Sequence, residues 1–412
     1  MEVKPITVQL ETEKHNDIDI VTQYIDAFIS TPGNGYSEII QTYLKESGVS
    51  VKDFVLTIHK INTSKVDVSR DGVIEEITDI HKFDLYYYYI KLCMVSYGKW
   101  VFIQGNKESG IFKKAKALQS SEEEFDYKLA KKMCGLEKED IVEYQYKAKL
   151  FDPSHFIAVT KSVNSIVVVI RGTLSFDDAK VDLCAKPVPY DFNGIKGFTH
   201  AGVYKCALNK YQQIIKTLSA LRVKYPKYDI TFVGHSLGGA VAQVLTLEVY
   251  KKHPNWPLKC YGFASALCLS LNISTDPLVC DLIDTIISKE DIVPRLSYDS
   301  VLGIRPFLDE VKQIHEQTKL INLMSKETTE RFEAAFKGFY QSTRNIGDNV
   351  LVPAGHVYHI LKTKEDGERA YRMFRKDNKV FGWLFIRVLS LSDHFPYNYY
   401  HVIEKLMATG GN

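Results

Sequence analysis

Apolar residues along this chain fall into two rhythms. Short β-branched runs occur at HFIAVTK (155–161), SIVVVIRG (165–172), DITFVG (229–234), KCYGFASA (259–266) and DTIISKED (284–291), and helix-length stretches separate them. The run Ile166–Ile170 is apolar without interruption, the pattern of a strand covered on both faces. Strands alternating with helices predict an α/β chain with a mostly parallel central sheet and helices on both faces. An aromatic-rich helix, KFDLYYYYIKLCMVSYGKW, opens this region. Residues 1–80 are polar and mixed, and Ile39, Ile40, Tyr43 and Leu44 recur at helical spacing, which predicts a small N-terminal helical extension ahead of a domain over 81–412. Residues 297–350 are charged and helix-forming, and read as a helical insertion without visible chemistry.

Composition narrows the function classes. A chain of 412 residues with 45% hydrophobic and 25% charged residues buries a sizeable core, and a formal net charge of +2 offers no strong field for nucleic acid. The seven cysteines are scattered and form no Cys-x-x-Cys pair, so neither a disulfide framework nor a metal site is expected, and no residue pattern asks for a cofactor. A reducing, cytoplasmic location follows. The stretch MEVKPITVQLETEKHNDIDI has no basic patch followed by an apolar run, and no segment reaches the roughly 18 apolar residues of a membrane span. The expectation is a soluble protein with at most peripheral membrane contact.

The chemistry concentrates at Gly234-His235-Ser236-Leu237-Gly238. A β-run before it and a small-residue helix after it give the strand–turn–helix context of a nucleophile elbow, with helix N–H groups free to meet a developing oxyanion. A serine needs a base, and the base an orienting acid, in the chain order Ser, Asp or Glu, His. Asp291 follows a β-rich run and precedes Pro294, with Glu290 as its nearest competitor. The strand SIVVVI empties into Arg171-Gly172-Thr173, where Thr173 could supply a second oxyanion donor.

Taken together, VVVIRGTLSFDDAKVDL (167–183), GFTHAGVY (197–204), GHSLGGAVAQ (234–243), SKEDIVPR (288–295) and SDHFPYNYY (392–400) resemble the class 3 lipase family, most closely its intracellular sn-1-specific diacylglycerol lipases. The resemblance implies an α/β-hydrolase fold, Ser236 as nucleophile, Asp291 as orienting acid and His394 as base. It also implies Thr173 and the Leu237 N–H as oxyanion donors and a lid over 174–183. The membrane-spanning helices of animal diacylglycerol lipases and the disulfides of secreted fungal relatives have no counterpart in this sequence.

The choice of base also follows by elimination. Chain order removes every histidine up to His235, and His235 adjoins the nucleophile on the elbow with its ring directed away from the hydroxyl. His253 ends the elbow helix, His315 lies in the insertion, His356 and His359 sit in a β-like run, and His401 falls on the final helix. His394 precedes a proline on a loop that can reach both Ser236 and Asp291. The expected activity is cleavage of a fatty-acyl ester of a glycerolipid, diacylglycerol first, at a lipid interface. Phospholipase A1, monoacylglycerol lipase or general carboxylesterase activity are the alternatives, and an inactive lipid-binding scaffold is the alternative outside enzymes.

Overall fold

The computed structural model describes residues 42, 44–46, 50, 71–99, 122–172, 187–296, 304–317, 325–343, 350–365, 368–382 and 390–409. The central feature is a nine-stranded sheet in the order β1-β13-β12-β10-β8-β7-β4-β3-β2. Its strands are β1 (Val73–Ile77), β2 (Ile141–Gln145), β3 (His155–Thr160), β4 (Ser165–Ile170), β7 (Asp229–His235), β8 (Leu258–Phe263), β10 (Ile283–Ser288), β12 (His356–Glu365) and β13 (Glu368–Lys376). The five middle strands, β12, β10, β8, β7 and β4, are mutually parallel. Both flanks are antiparallel. The mostly parallel sheet expected from the sequence is therefore parallel at its centre only. A short link causes the difference where consecutive strands pair: β3 joins β4 through a tight turn at Asn164, whose φ is 48°, and so short a connection cannot cross over to make a parallel pair.

β4 shows why its run is uninterrupted. Ile166, Val168 and Ile170 pack into one core with α3 (Ala201–Lys224) and α4 (Leu237–Lys252). Val167 and Val169 point to the other face and pack with α1 (Ile80–Tyr97), α2 (Glu122–Cys134) and α7 (Pro396–Thr409). Alternate side chains of one strand thus feed two cores, so every position must be apolar. This centrally parallel sheet with helices packed on both faces makes the fold α/β, as the sequence predicts.

A second sheet, in the order β11-β9-β6-β5, lies outside the expected strands. Its hairpin, β5 (Pro187–Phe192) and β6 (Ile195–His200), turns on Asn193-Gly194, both at positive φ. β9 (Leu269–Ser270) and β11 (Leu351–Val352) complete it. The insertion is helical where it is described, as α5 (Ile304–Gln317) and α6 (Lys326–Thr343). Phe307, Leu308, Val311 and Ile314 recur on one face of α5 and join the main core with Phe332 and Ala335 of α6.

The helical character expected for residues 1–80 does not reach the end of that segment. Val73–Ile77 is a strand on the sheet edge, paired with β13. Charge complementarity across the pair holds it, Arg372 to Glu76 at 2.9 Å and Arg375 to Glu75 at 3.2 Å, and the same charges blunt an exposed edge. Most of the helical pattern around Ile39–Leu44 lies outside the described residues.

Candidate active site

β7 and α4 meet at Ser236, which adopts φ 60° and ψ −130°. A non-glycine residue at positive φ costs roughly 1–3 kcal/mol, and the packing around the turn has to hold it. Close approach enforces the geometry: a Cβ on Gly234 would collide with the Gly238 carbonyl, and one on Gly238 with the Ile170 carbonyl. Ser236 is left partly exposed between two buried neighbours. Leu237 is the first residue of α4, so its N–H has no carbonyl of a preceding helical turn to meet.

The parallel strands bring the remaining groups to the same end of the sheet. Asp291 follows β10 and His394 precedes α7. His394 Nε2 lies 2.9 Å from Ser236 Oγ, and His394 Nδ1 lies 3.0 Å from each Asp291 carboxylate oxygen. A carboxylate only accepts, so Nδ1 carries the proton and Nε2 is left to accept from the serine hydroxyl. Asp291 is fully buried, and its charge is met by the Val293 N–H at 3.0 Å and the Tyr399 hydroxyl at 2.7 Å. Tyr399 also accepts from the Ser288 N–H at 3.0 Å. Burial, reinforced by the Asp291 charge, raises the Tyr399 phenol well above its ordinary range, which keeps it a donor.

The competing residues make other contacts. Glu290 meets the base loop through its backbone N–H, 3.4 Å from Asp393 Oδ2. Asp284 lies at the opposite end of β10, where the Tyr86 hydroxyl donates to it at 2.8 Å. His356 faces that same Asp284. His359 is buried, and its Nε2–H donates to the Lys289 carbonyl. His401 pairs with Glu404, and His253 stacks on Trp256. Thr173 and the lid region 174–183 lie outside the described residues.

Several supporting residues carry no sequence signal of their own. His235 Nε2 is 2.7 Å from the His394 carbonyl, which can only accept, so the proton sits on Nε2 and Nδ1 accepts from the Tyr97 hydroxyl at 2.9 Å. The residue before the candidate nucleophile therefore grips the backbone of the candidate base. Burial, with His394 nearby, pushes the proton affinity of His235 well down and keeps it neutral. Asp393, adjacent to His394, pairs with Lys289 at 2.8 Å. Among the described residues no cluster of side chains suits a metal ion, and no helix is long and apolar enough to cross a membrane.

The family model described as Lipase (class 3) matches residues 167–301, the span that runs from β4 through the elbow to the loop after β10. Over this span, about a third of the chain, the sequence is similar to the class 3 lipase family. Diacylglycerol lipase-alpha of Homo sapiens is 24% identical over 302 residues, covering 65% of this chain and 28% of that protein. Diacylglycerol lipase-beta of Mus musculus is 26% identical over 179 residues, covering 42% of this chain and 26% of that protein. Secreted mono- and diacylglycerol lipase 2 of Gibberella zeae is 36% identical over 108 residues, covering 22% of this chain and 26% of that protein. The chain spans about a quarter of the length of the curated relatives it matches.

Proposed function

We propose that this protein is a class 3 lipase, a serine hydrolase that cleaves a fatty-acyl ester of a glycerolipid, with diacylglycerol as its leading substrate. The observation that carries the reading is the two-ended hydrogen bonding of His394, to Ser236 Oγ at 2.9 Å and to Asp291 at 3.0 Å. In the proposed reaction His394 Nε2 takes the hydroxyl proton as Ser236 Oγ attacks the ester carbonyl, and Asp291 stabilises the imidazolium that forms. The N–H of Leu237 and Thr173 would stabilise the tetrahedral oxyanion. Collapse breaks the acyl–oxygen bond, and His394 returns its proton to the departing glyceride alcohol. Water then repeats the sequence against the acyl-enzyme, releasing the fatty acid and restoring Ser236. The buried Tyr399 hydroxyl supports this assignment, because its 2.7 Å bond holds the Asp291 carboxyl in place against His394.

Diacylglycerol leads because three relatives bear it in their names. The thiols of Cys93, Cys260 and Cys268 are buried and form no disulfide, which suits a reducing compartment and a cytoplasmic lipid interface. The test is to offer purified protein mono-, di- and triacylglycerols and phospholipids, following fatty-acid release. Preferential release from diacylglycerol, lost in Ser236→Ala, is the expected result. Release from phospholipid alone would reassign the head group, and no release from any substrate would refute the activity.

A further inference from the structure

A buried lysine that the proposed chemistry does not use holds a loop beside the candidate site. Lys210 of α3 has no solvent exposure, and its ammonium pairs with Asp152 of the β2–β3 loop. It also meets Gln213 Oε1 at 2.9 Å, His155 Nδ1 at 3.0 Å and Gln145 Oε1 at 3.3 Å. Because His155 Nδ1 accepts from that ammonium, its Nε2–H is directed to Glu143, 3.1 Å away. Asn209 adds a bond to the Phe151 carbonyl at 3.0 Å, and Lys149 and Asp152 close the turn with two 2.9 Å backbone bonds. Burying an ammonium is expensive unless it is fully paired, so this network fixes the loop in one conformation, including Phe151 at φ 56°.

The fixed loop displays an apolar residue to water. Leu150 at its tip is 66% exposed, and Leu208, one turn along α3 from Lys205, is 38% exposed. Lys147, Lys149 and Lys205 are exposed beside them, and the Lys205 ammonium sits 4.0 Å from the Phe151 ring centre. Strand register sets where this patch lies. His155 pairs with Ile170, and Ile170 pairs with Gly234, two residues before Ser236. The loop before His155 therefore projects from the same end of the sheet as the elbow, and the start of α3 lies at that end too, since α3 descends to the start of β7.

We propose that Leu150 and Leu208, ringed by Lys147, Lys149 and Lys205, form a preorganised prong that docks the protein on an anionic lipid bilayer with its candidate site facing the membrane. The apolar tips enter the headgroup boundary and the lysines meet lipid phosphates and carboxylates. Presetting the loop removes the ordering cost that a flexible segment would bear on docking. The inference rests on the proposed function only in that the substrate resides in the same bilayer.

The test uses the full chain carrying Ser236→Ala, so that vesicles stay intact, and measures co-flotation with phosphatidylcholine vesicles with and without phosphatidylserine. Binding should require phosphatidylserine. Because each lysine near an anionic surface is worth about fivefold in partitioning, Lys147→Glu with Lys149→Glu should weaken it by on the order of tenfold or more. Leu150→Asp should weaken it similarly. In the Ser236 background the same variants should hydrolyse a water-soluble short-chain ester at the unaltered rate, which also reports that they fold. If vesicle binding is missing in the parent, or undiminished in the variants, the proposal is overturned. A concentration-dependent dimer that Leu150→Asp abolishes would assign the prong to self-association and overturn it equally. Absence of ester hydrolysis in every protein, with binding as expected, would count against the proposed chemistry alone.

Discussion

Lys289 and Asp393 tie the two halves of the candidate site together: their ion pair, 2.8 Å between Nζ and Oδ1, joins the loop that carries Asp291 to the loop that carries His394. The first loop is pinned from the sheet as well, since the Lys289 N–H donates to the Ile360 carbonyl at 2.7 Å and the Lys289 carbonyl accepts from His359. Lys289 holds φ 48°, a conformation that these three contacts maintain. Removing the lysine also leaves the mostly buried Asp393 carboxyl, already raised above its usual range by burial, without its cation.

Lys289→Met should therefore lower kcat by roughly ten- to a hundredfold through misplacement of Asp291 relative to His394, with little change in KM. Lys289→Arg should restore most of the loss, since it returns the cation. Steady-state kinetics on a soluble ester checks both. An equal loss in the arginine variant would refute a role for the ion pair.

Tyr399→Phe removes one hydroxyl that serves Asp291 and the Ser288 N–H at once. Leaving a buried donor and a buried carboxylate oxygen without that partner should cost about 1–3 kcal/mol of stability, visible in chemical denaturation. The kcat should fall as well, by on the order of tenfold, if the hydroxyl fixes the carboxylate that orients His394. The phenol stays protonated across the working range, so its own titration adds no pH dependence to the deficit near neutral pH.

His359 makes an acid-side stability prediction. Burial first, then the nearby Lys376 and Arg295 charges, pushes its proton affinity well below that of a free histidine. The unfolded chain takes up this proton near pH 6.5, whereas the folded protein resists it, so the unfolded state binds more protons as pH falls. The contribution is complete above about pH 6.5 and is lost as pH drops from there toward the folded value. His235 acts in the same direction. Melting temperature should thus decline between about pH 7.5 and about pH 5.5, and less steeply in His359→Gln than in the parent. The raised carboxyls Asp284 and Asp393 titrate with the opposite sign but are common to both proteins, so the difference in slope isolates His359. Parallel slopes would contradict it.

What could be read from the sequence was what local chemistry dictates. The Gly-x-Ser-x-Gly turn announces itself because a β-run before it and small residues after it are needed within a dozen positions. The runs at β3, β4, β7, β8 and β10 are visible because most are buried on both faces. β1 and β13 are hidden by their charge, VIEEI and ERAYRMFRK: β1 is the edge strand and buries little, and β13 beside it carries the arginines that pair with it. β5 carried the Asn-Gly hairpin sign, yet Pro187 and Pro189 argue against a strand, and only its place at the edge of the small sheet tolerates them. Lys289, Asp393 and Tyr399 gave no sign because their partners lie more than a hundred residues away, 104 for the Lys289–Asp393 pair and 108 for Tyr399–Asp291. Tertiary contacts of that range leave no periodicity.

The central claim is that Ser236 is a nucleophile activated by His394. Treating the folded protein with a fluorophosphonate and locating the adduct by peptide mass spectrometry tests it directly. The account predicts one adduct, on Ser236, in the parent protein and none in folded Ser236→Ala or folded His394→Gln. Labelling at another serine, or undiminished labelling of Ser236 in the His394→Gln protein, would contradict it.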